Sequence, residues 1–178
     1  MALLRSVATV GGYTMASRVL GFVRDVLTAN FLGAGPVADA FFVAFRLPNL
    51  FRSFFAEGAF SAAFVPLFAG SIAQHGHHRA KHFAEEALAA LTLVLFIFVV
   101  ICEALAPAIL HVLAPGFAAD PEKFALTVQL TRITFPYLLF ISLVALQGGI
   151  LNSVERFAAV AATPVLLNIF LIGALVLV

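Results

Sequence analysis

Residues 157–178 read FAAVAATPVLLNIFLIGALVLV, a stretch without a single charged side chain. About 20 consecutive apolar residues are enough for a helix to cross the hydrocarbon core of a bilayer. A second stretch, residues 133–154, is also free of charge. These two stretches predict membrane-spanning helices, and they decide the fold class.

The composition of the whole chain agrees with that prediction. Of 178 residues, 63% are hydrophobic and only 11% are charged. A soluble domain usually has about 25% charged and 45–50% apolar residues. A core of this size cannot bury the excess, so we expect an all-α integral membrane protein whose surface is largely solvated by lipid. The single cysteine, Cys102, excludes an internal disulfide and gives no metal cluster, and we expect no cofactor.

Apolar runs and the breaks between them predict five membrane helices. The predicted helices are residues 7–31, 39–68, 83–113, 124–152 and 157–178. Glycine and proline mark two of the breaks, at residues 33–36 and 115–116. The chain ends while still apolar, with no flanking charge or aromatic anchor, so we expect it to be a fragment of a longer protein.

Orientation follows from the lysines and arginines outside the predicted helices. The N-terminus, the loop at residues 70–82 and the turn near Glu155 share one side of the membrane. That side holds four cations, which are Arg5, Arg79, Lys81 and Arg156. The opposite side holds only Lys123. This imbalance places the N-terminus in the cytoplasm.

The first predicted helix has one polar face. At about 100° per residue, one arc of about 140° collects its polar and small residues. These are Gly11, Thr14, Ser17, Arg18, Gly21, Arg24, Asp25 and Thr28. The rest of the helix carries apolar side chains that suit lipid, such as Phe22 and Val26.

The second predicted helix repeats this pattern. Its polar residues, Asp39, Arg46, Asn49, Arg52, Ser53 and Glu57, share a similar arc. Each charge inside a membrane costs about 2.5–3.5 kcal/mol on insertion scales, so a lipid-facing position for both faces is implausible. The pattern predicts a hydrated cavity in which arginine binds phosphate or carboxylate by paired hydrogen bonds.

Two structural alternatives remain for these charges. Arg24 and Asp25 can form an ion pair that only fixes helix packing. Arg46 can extend to the nearer membrane surface if Asp39 marks that surface.

Several motifs resemble the bacterial lipid II flippase family (MurJ, also called MviN). Residues 17–25, SRVLGFVRD, are similar to its first helix, and residues 39–52, DAFFVAFRLPNLFR, to its second. The similarity continues at residues 55–61, 64–66, 114–117, 132–137, Asn152, 156–157, Pro164 and 166–168. It therefore covers essentially the whole chain.

The resemblance implies an exporter fold of fourteen membrane helices in two lobes around a central cavity. It implies translocation of lipid II, the lipid-linked peptidoglycan precursor, from the cytoplasmic to the periplasmic leaflet of the inner membrane. By the same resemblance, Arg18, Arg24 and Arg52 bind the anionic headgroup with support from Asn49 and Ser53. Asp25 orients Arg24, Asp39 belongs to a periplasmic gate, and Arg46 and Glu57 are gating or ion-pair residues.

The resemblance also implies which part is absent from this sequence. The chain matches only the first five helices, which would form most of the N-terminal lobe, so the second lobe is a missing partner. Alternating access needs two bundles that move against each other, so we expect no transport by this chain alone.

Other functions stay open as alternatives. They are export of another lipid-linked oligosaccharide or a drug in the same fold, a non-transporting scaffold, or a membrane enzyme acting on a lipid diphosphate. An enzyme would need placed acids, bases or a metal site, and the sequence has no phosphate loop, nucleophile elbow or metal-ligand spacing. We therefore expect neither an enzyme nor a nucleic-acid partner.

Three further features have weaker signals. The histidines at residues 75–82 favour a solvated basic loop near anionic lipid over a metal site. Glu103 is a lone acid that can bind a coupling ion or face a polar neighbour. Arg132 lies either near an interface or inside the bundle.

Overall fold

The computed structural model describes the backbone of residues 2–57 and 59–177, and side chains outside residues 1–6, 56–61 and 178. The chain divides into two compact units. The first contains residues 1–35 and 151–178, and the second contains residues 36–150. In chain order, the second unit is thus inserted between the two halves of the first.

The first unit is a pair of helices. Helix α1 spans Ala2–Leu32 and packs against helix α7, Phe157–Leu177. α7 follows a tight turn in which the N–H of Arg156 donates to the carbonyl of Leu151 at 2.8 Å. Glu155 has a positive φ of 60° in this turn.

The second unit contains the remaining helices. They are α2 (Pro36–Arg52), a π-helical turn (Ser53–Glu57), α3 (Ala59–Ala104), α4 (Ala106–Leu113), a 3-10 turn (Pro115–Ala119), α5 (Pro121–Thr134) and α6 (Tyr137–Ser153). The predicted second helix, residues 39–68, therefore comprises α2, the π-helical turn and the start of α3. The predicted fourth helix, residues 124–152, is divided into α5 and α6 at Pro136.

Helix α3 folds back on itself at Gly76. Gly76 has φ 77° and ψ 173°, which are not helical values. In a straight helix Phe64 and Phe83 would be about 28 Å apart, at 1.5 Å rise per residue. Their rings instead stack with centroids 5.6 Å apart. Residues 59–75 and 77–104 are thus two arms of a helical hairpin, and the chain between residues 70 and 82 is helical on both sides of Gly76 where a loop was expected.

Proline removes a helical donor at three places in this unit, at Pro48 in α2, at Pro66 in α3 and at Pro107 near the start of α4, and the first and last of these have a partner on α5. Pro48 has no N–H to donate to the carbonyl of Ala44, and Pro107 has none for the carbonyl of Glu103. In each case a side chain of α5 reaches the carbonyl concerned. The Nε–H of Arg132 donates to the Glu103 carbonyl at 3.2 Å, and the hydroxyl of Thr134 lies 3.4 Å from the Ala44 carbonyl. The hydrogen bond from Arg132 to the Glu103 carbonyl places the Arg132 side chain against the junction of α3 and α4.

Helices α2 and α5 approach closely because their facing side chains are small. Ala40 and Ala44 of α2 are fully buried, and so are Thr127 and Thr131 of α5. Both threonine hydroxyls donate to carbonyls one turn earlier in their own helix, at 2.7 Å. No polar group of these threonines is therefore left unpaired at the contact.

The core of the second unit is aliphatic and aromatic. Phe135, Leu95, Leu138 and Leu146 are buried to 1% exposure or less. Gly149 of α6 lets that helix contact the first arm of α3, because an added Cβ would lie 3.1 Å from Val65. The aromatic residues of this core pack in pairs, and their inclusion explains part of the phenylalanine content of the chain.

Three helical stretches of the described residues are long and apolar enough to cross a membrane, at Ala62–Ala104, Pro121–Ser153 and Phe157–Leu177. The first of these contains the Gly76 fold-back. Large apolar side chains such as Phe22, Phe140 and Phe170 are more than 60% exposed, as suits a lipid-solvated surface. The all-α membrane fold expected from composition is confirmed. α1 and α2 are not among the three stretches, and their internal arginines lower their hydropathy.

We predict that Gly76→Ala destabilises the chain by about 1–3 kcal/mol, because φ 77° with ψ 173° is a backbone conformation that essentially only glycine adopts without strain. Thermal unfolding in detergent, followed by circular dichroism, measures this change. Gly70→Ala is the control, since open space surrounds Gly70 and alanine favours a helix. Equal stability of the Gly76→Ala and Gly70→Ala variants would contradict the prediction, because it would show that a Cβ at position 76 adds no strain.

We also predict that the cost of Arg132→Leu depends on Pro107. The change removes a hydrogen bond worth about 1 kcal/mol. In a Pro107→Ala background the restored N–H can donate to the Glu103 carbonyl, so the cost of Arg132→Leu should fall by about half or more. The same unfolding measurement gives both costs. Arg156→Leu is the control and should cost the same in either background; equal costs for Arg132→Leu would contradict the prediction.

Candidate functional site

In the first unit, the guanidinium of Arg24 is held by two partners. Its Nε–H and Nη2–H donate to Oδ1 of Asp25 at 3.0 and 2.7 Å. Its Nη1–H donates to Oδ1 of Asn168 at 2.9 Å. A guanidinium has five N–H donors, so two of them have no partner in the described part of the chain. The contact with Asp25 is the pairing that the resemblance implied.

Asn168 joins α7 to α1. Its side chain is 5% exposed, and its Nδ2–H donates to the backbone carbonyl of Ser17 at 3.1 Å. It is therefore a donor to α1 and an acceptor from Arg24 at once. The sequence analysis gave Asn168 no role, although it is the sole amide in the uncharged stretch 157–178. The presence of one amide in an otherwise apolar helix was the feature that could have predicted a role for Asn168, because a buried amide needs hydrogen-bond partners.

Arg18 precedes Arg24 by six residues on α1, and its side chain is exposed. Within the described residues it has no hydrogen-bond or ion-pair partner. All five of its donors are consequently accessible. Thr28, on the same predicted polar face, donates to the backbone carbonyl of Arg24 at 2.8 Å and makes no hydrogen bond outside α1 among the described residues.

In the second unit, Arg52 ends α2 beside Asn49. The Nε–H of Arg52 donates to Oδ1 of Asn49 at 2.9 Å, an (i, i+3) contact along one helix face. Ser53 begins the π-helical turn, and its hydroxyl donates to the carbonyl of Leu50 at 2.7 Å. Helices with π-turns often carry functional residues at that point.

The remaining predicted residues of this helix are placed differently. Arg46 is exposed and has no polar partner among the described side chains. The side chain of Glu57 lies outside the described residues. Whether Glu57 compensates a neighbouring arginine therefore stays a prediction.

Asp39 forms an ion pair that the sequence analysis did not include. Its Oδ2 accepts from Nζ of Lys123 at 2.7 Å. The Lys123 side chain is only 18% exposed, and its Nζ lies 4.2 Å from the centre of the Phe117 ring. The pair joins the first turn of α2 to the first turn of α5, so both helices begin at the same end of the second unit.

The site residues are thus divided between the two units. Arg18 and Arg24 belong to the first, and Arg46 and Arg52 belong to the second. The cavity that both helices would line remains a prediction. Among the described residues, no group of three histidine, cysteine, aspartate or glutamate side chains is arranged to hold a metal ion. The chemistry available is hydrogen bonding by partly oriented guanidinium groups, which suits an anion with several oxygens.

We predict a coupling free energy of about 1 kcal/mol between Asp39 and Lys123, at the upper end of the range for exposed pairs because Lys123 is sheltered. A double-mutant cycle of Asp39→Asn and Lys123→Met, measured by unfolding in detergent, gives this value. The control is Lys81 with Glu85, a more exposed pair at 3.6 Å that should couple by about 0.3–0.5 kcal/mol. Coupling of Asp39 and Lys123 at or below the control value would contradict the prediction.

Comparison with known proteins gives a consistent result. A family profile described as "Lipid II flippase MurJ" matches residues 28–178. A protein of Rhizobium tropici named "Probable lipid II flippase MurJ" is 51% identical over 176 residues, covering 98% of this chain and 33% of that protein. The "Lipid II flippase MurJ" of Burkholderia cenocepacia is 44% identical over 178 residues, covering 100% of this chain and 34% of that protein.

The chain spans about a third of the length of these relatives. The profile covers far more than half of the chain, and the similarity reaches both units. The resemblance identified from the sequence motifs is confirmed: the chain belongs to the MurJ family of lipid II flippases.

Proposed function

We propose that the chain is part of a transporter that moves lipid II from the cytoplasmic to the periplasmic leaflet. Family membership supports this function. The single structural observation that carries it is Arg24, an arginine in a helix of a membrane protein whose guanidinium is oriented by Asp25 and Asn168 and retains two N–H donors. Asp25 already pairs with this charge, and the two remaining N–H donors can bind two oxygens of a diphosphate.

The proposed binding chemistry is recognition of the diphosphate by arginine. Arg18, Arg24 and Arg52 supply the hydrogen bonds, and arginine can bind two phosphate oxygens at once. Asn49 supports the site by orienting Arg52, as their 2.9 Å contact suggests. The hydroxyl of Ser53 is a further polar contact near the end of α2.

Asn168 is a positioning residue in this proposal. It does not carry charge, but it fixes the direction of the Arg24 guanidinium from the opposite side to Asp25. With both partners in place, the free N–H groups keep one direction. Loss of either partner would let the Arg24 guanidinium rotate. Its free N–H groups would then be less well oriented for the phosphate oxygens before the substrate binds.

In this proposal, the charged residues that do not bind substrate open and close the transport path or form ion pairs. Asp39 lies at the start of α2, where its pair with Lys123 can open and close at the periplasmic side. Asp25, Arg46 and Glu57 are assigned to gating or ion pairing. Movement follows alternating access, in which one bundle moves against another while the polyprenyl tail remains in lipid. The second bundle is the lobe that the relatives possess beyond the matched third.

The proposed location is the bacterial inner membrane, with the N-terminus in the cytoplasm. The excess of lysine and arginine at the N-terminus, near residues 79–81 and at Arg156 supports this orientation. The common starting end of α2 and α5 agrees with it, since both follow loops assigned to the periplasmic side. Transport of this kind breaks no covalent bond, so we propose no enzymatic activity.

Complementation tests the proposal. This chain is joined to the remaining two thirds of the Rhizobium tropici relative, and the chimera is expressed in cells depleted of their own lipid II flippase. The chimera should sustain growth. Arg24→Ala and Arg52→Ala should abolish growth, because each removes a charge that binds the diphosphate. Asn168→Leu should lower the rate of lipid II translocation by about tenfold or more, since a hydrogen bond to a charged group contributes about 1.5–3 kcal/mol.

Two control variants make the result specific. Asn168→Asp keeps an acceptor for Arg24 and should retain more activity than Asn168→Leu. Lys81→Ala removes an exposed cation paired with Glu85 and should grow like the parent chimera. All variants are compared at equal amounts in the membrane. Growth with both arginine variants would contradict the proposed substrate site, and no growth with a well-expressed parent chimera would contradict the function.

A further inference from the structure

A groove of about 770 Å³ lies between the two arms of α3, next to Gly76. Its walls come from both sides of the fold-back. Pro66 and Leu67 line it from the first arm, and Phe83 lines it from the second. The stacking of Phe64 on Phe83 holds the arms together at this point. The groove is therefore a product of the hairpin and would not exist on a straight helix.

The mouth of the groove is polar and rich in histidine. His75, His78 and His82 line it together with Arg79, and each of these four residues is exposed. The fifth ionisable residue that lines it is Glu86, which lies 3.2 Å from Nδ1 of His82. With neutral histidines the charges of Arg79 and Glu86 cancel. With protonated histidines the groove carries a net positive charge of up to three.

The position of the fold-back relative to a membrane follows from the cost of charge. Both arms continue into apolar sequence away from Gly76, whereas residues 74–82 contain seven polar or charged side chains. Placing them in hydrocarbon would cost several kcal/mol for each charge, so the turn lies at a membrane surface. Lipid headgroups occupy that level of the bilayer.

We propose that this groove binds the phosphate headgroup of an anionic membrane phospholipid, and that protonation of its histidines strengthens the binding. The basic mouth suits the phosphate, and the apolar wall of Pro66, Leu67 and Phe83 suits the first carbons of the acyl chains. A ligand with both parts is a lipid, whereas free phosphate would use only the mouth. The site does not depend on the transport function proposed above and does not include any of its residues.

The direction of the pH effect follows from the groups that face the groove. Histidine gains its charge between about pH 8 and 5, while arginine stays charged. Glu86 opposes anion binding, and its contact with His82 weakens that opposition when the ring is charged. His77, Lys81 and Glu85 belong to the same arm and do not line the groove, and Lys81 is paired with Glu85. Each cation gained near a membrane surface should raise anionic-lipid binding by about fivefold.

The chain contains no tryptophan, so a single introduced tryptophan reports on one place. Leu67 lines the groove and is 61% exposed, which makes Leu67→Trp a suitable reporter. The reporter chain is reconstituted into phosphatidylcholine vesicles that contain a minority of phosphatidylglycerol. Bromine is attached to the acyl chains of one lipid or the other, and quenching of the tryptophan is measured at about pH 5.5 and about pH 7.5.

We expect brominated phosphatidylglycerol to quench beyond its mole fraction, and to do so severalfold more at the lower pH. The double change His78→Gln with Arg79→Gln should remove this enrichment. The double change His77→Gln with Lys81→Gln likewise removes one histidine and one permanent cation from the same segment but outside the groove, and it should leave the enrichment in place. Circular dichroism checks that both variants keep the helicity of the parent.

Four results would overturn the proposal in whole or in part. Equal loss of enrichment in the two double variants would mean diffuse attraction to an anionic surface. Absence of enrichment at both pH values would mean that the groove does not select phosphatidylglycerol. Enrichment that does not change with pH would exclude the role of the histidines. Loss of enrichment in excess inorganic phosphate would identify free phosphate as the preferred occupant of the mouth.

Discussion

A membrane supplies no water to an unpaired backbone carbonyl, and this constraint shapes the second unit of the chain. Prolines at positions 48 and 107 each leave a carbonyl without its helical donor. Two side chains of α5, Thr134 and Arg132, reach these carbonyls. Arg132 joins α5 to the junction of α3 and α4 by a hydrogen bond. The Thr134 hydroxyl lies 2.9 Å from the Leu130 carbonyl of its own helix and 3.4 Å from the Ala44 carbonyl, and the small side chains between α2 and α5 allow this approach.

The same constraint governs the charged residues of the membrane helices. Arg24 has Asp25 and Asn168, Arg52 has Asn49, and Lys123 has Asp39. The pairing of Arg24 leaves two of its five N–H donors available in the described part of the chain. Arg18 and Arg46 have no polar partner among the described residues. Helices built only for stability would gain more from apolar packing, and the proposed ligand-binding and gating roles give Arg18, Arg24 and Arg46 a reason to be retained.

Much of this structure was accessible from the sequence because hydropathy and helix periodicity are strong signals. The uncharged stretches 133–154 and 157–178 predicted helices. The positions of the polar and small residues between Gly11 and Thr28 predicted a polar face on α1, which stays a prediction. The contact of Arg24 with Asp25 required no knowledge of another helix. The structure reverses the chain direction at Gly76, inside the segment 70–82 that was expected to be a loop.

The parts that the sequence did not predict depend on contacts between distant residues. Asn168 meets Arg24 across 144 positions, and Lys123 meets Asp39 across 84. No periodicity within one helix reports such a pair. The helical nature of residues 70–82 was missed for a local reason: the polar residues were interpreted as a loop, although a single glycine with positive φ is enough to reverse a helix.

The helical hairpin of α3 also has a consequence for the order in which the chain acquires its structure. Contacts across Gly76 join residues about 20 positions apart, so the entropy lost on closing that loop is small. The pairing of α1 with α7 joins Ser17 to Asn168 and cannot begin until the whole inserted unit has been synthesised. Low contact order in the hairpin and high contact order in the helix pair predict that the hairpin assembles early and that Arg24 obtains its second partner last.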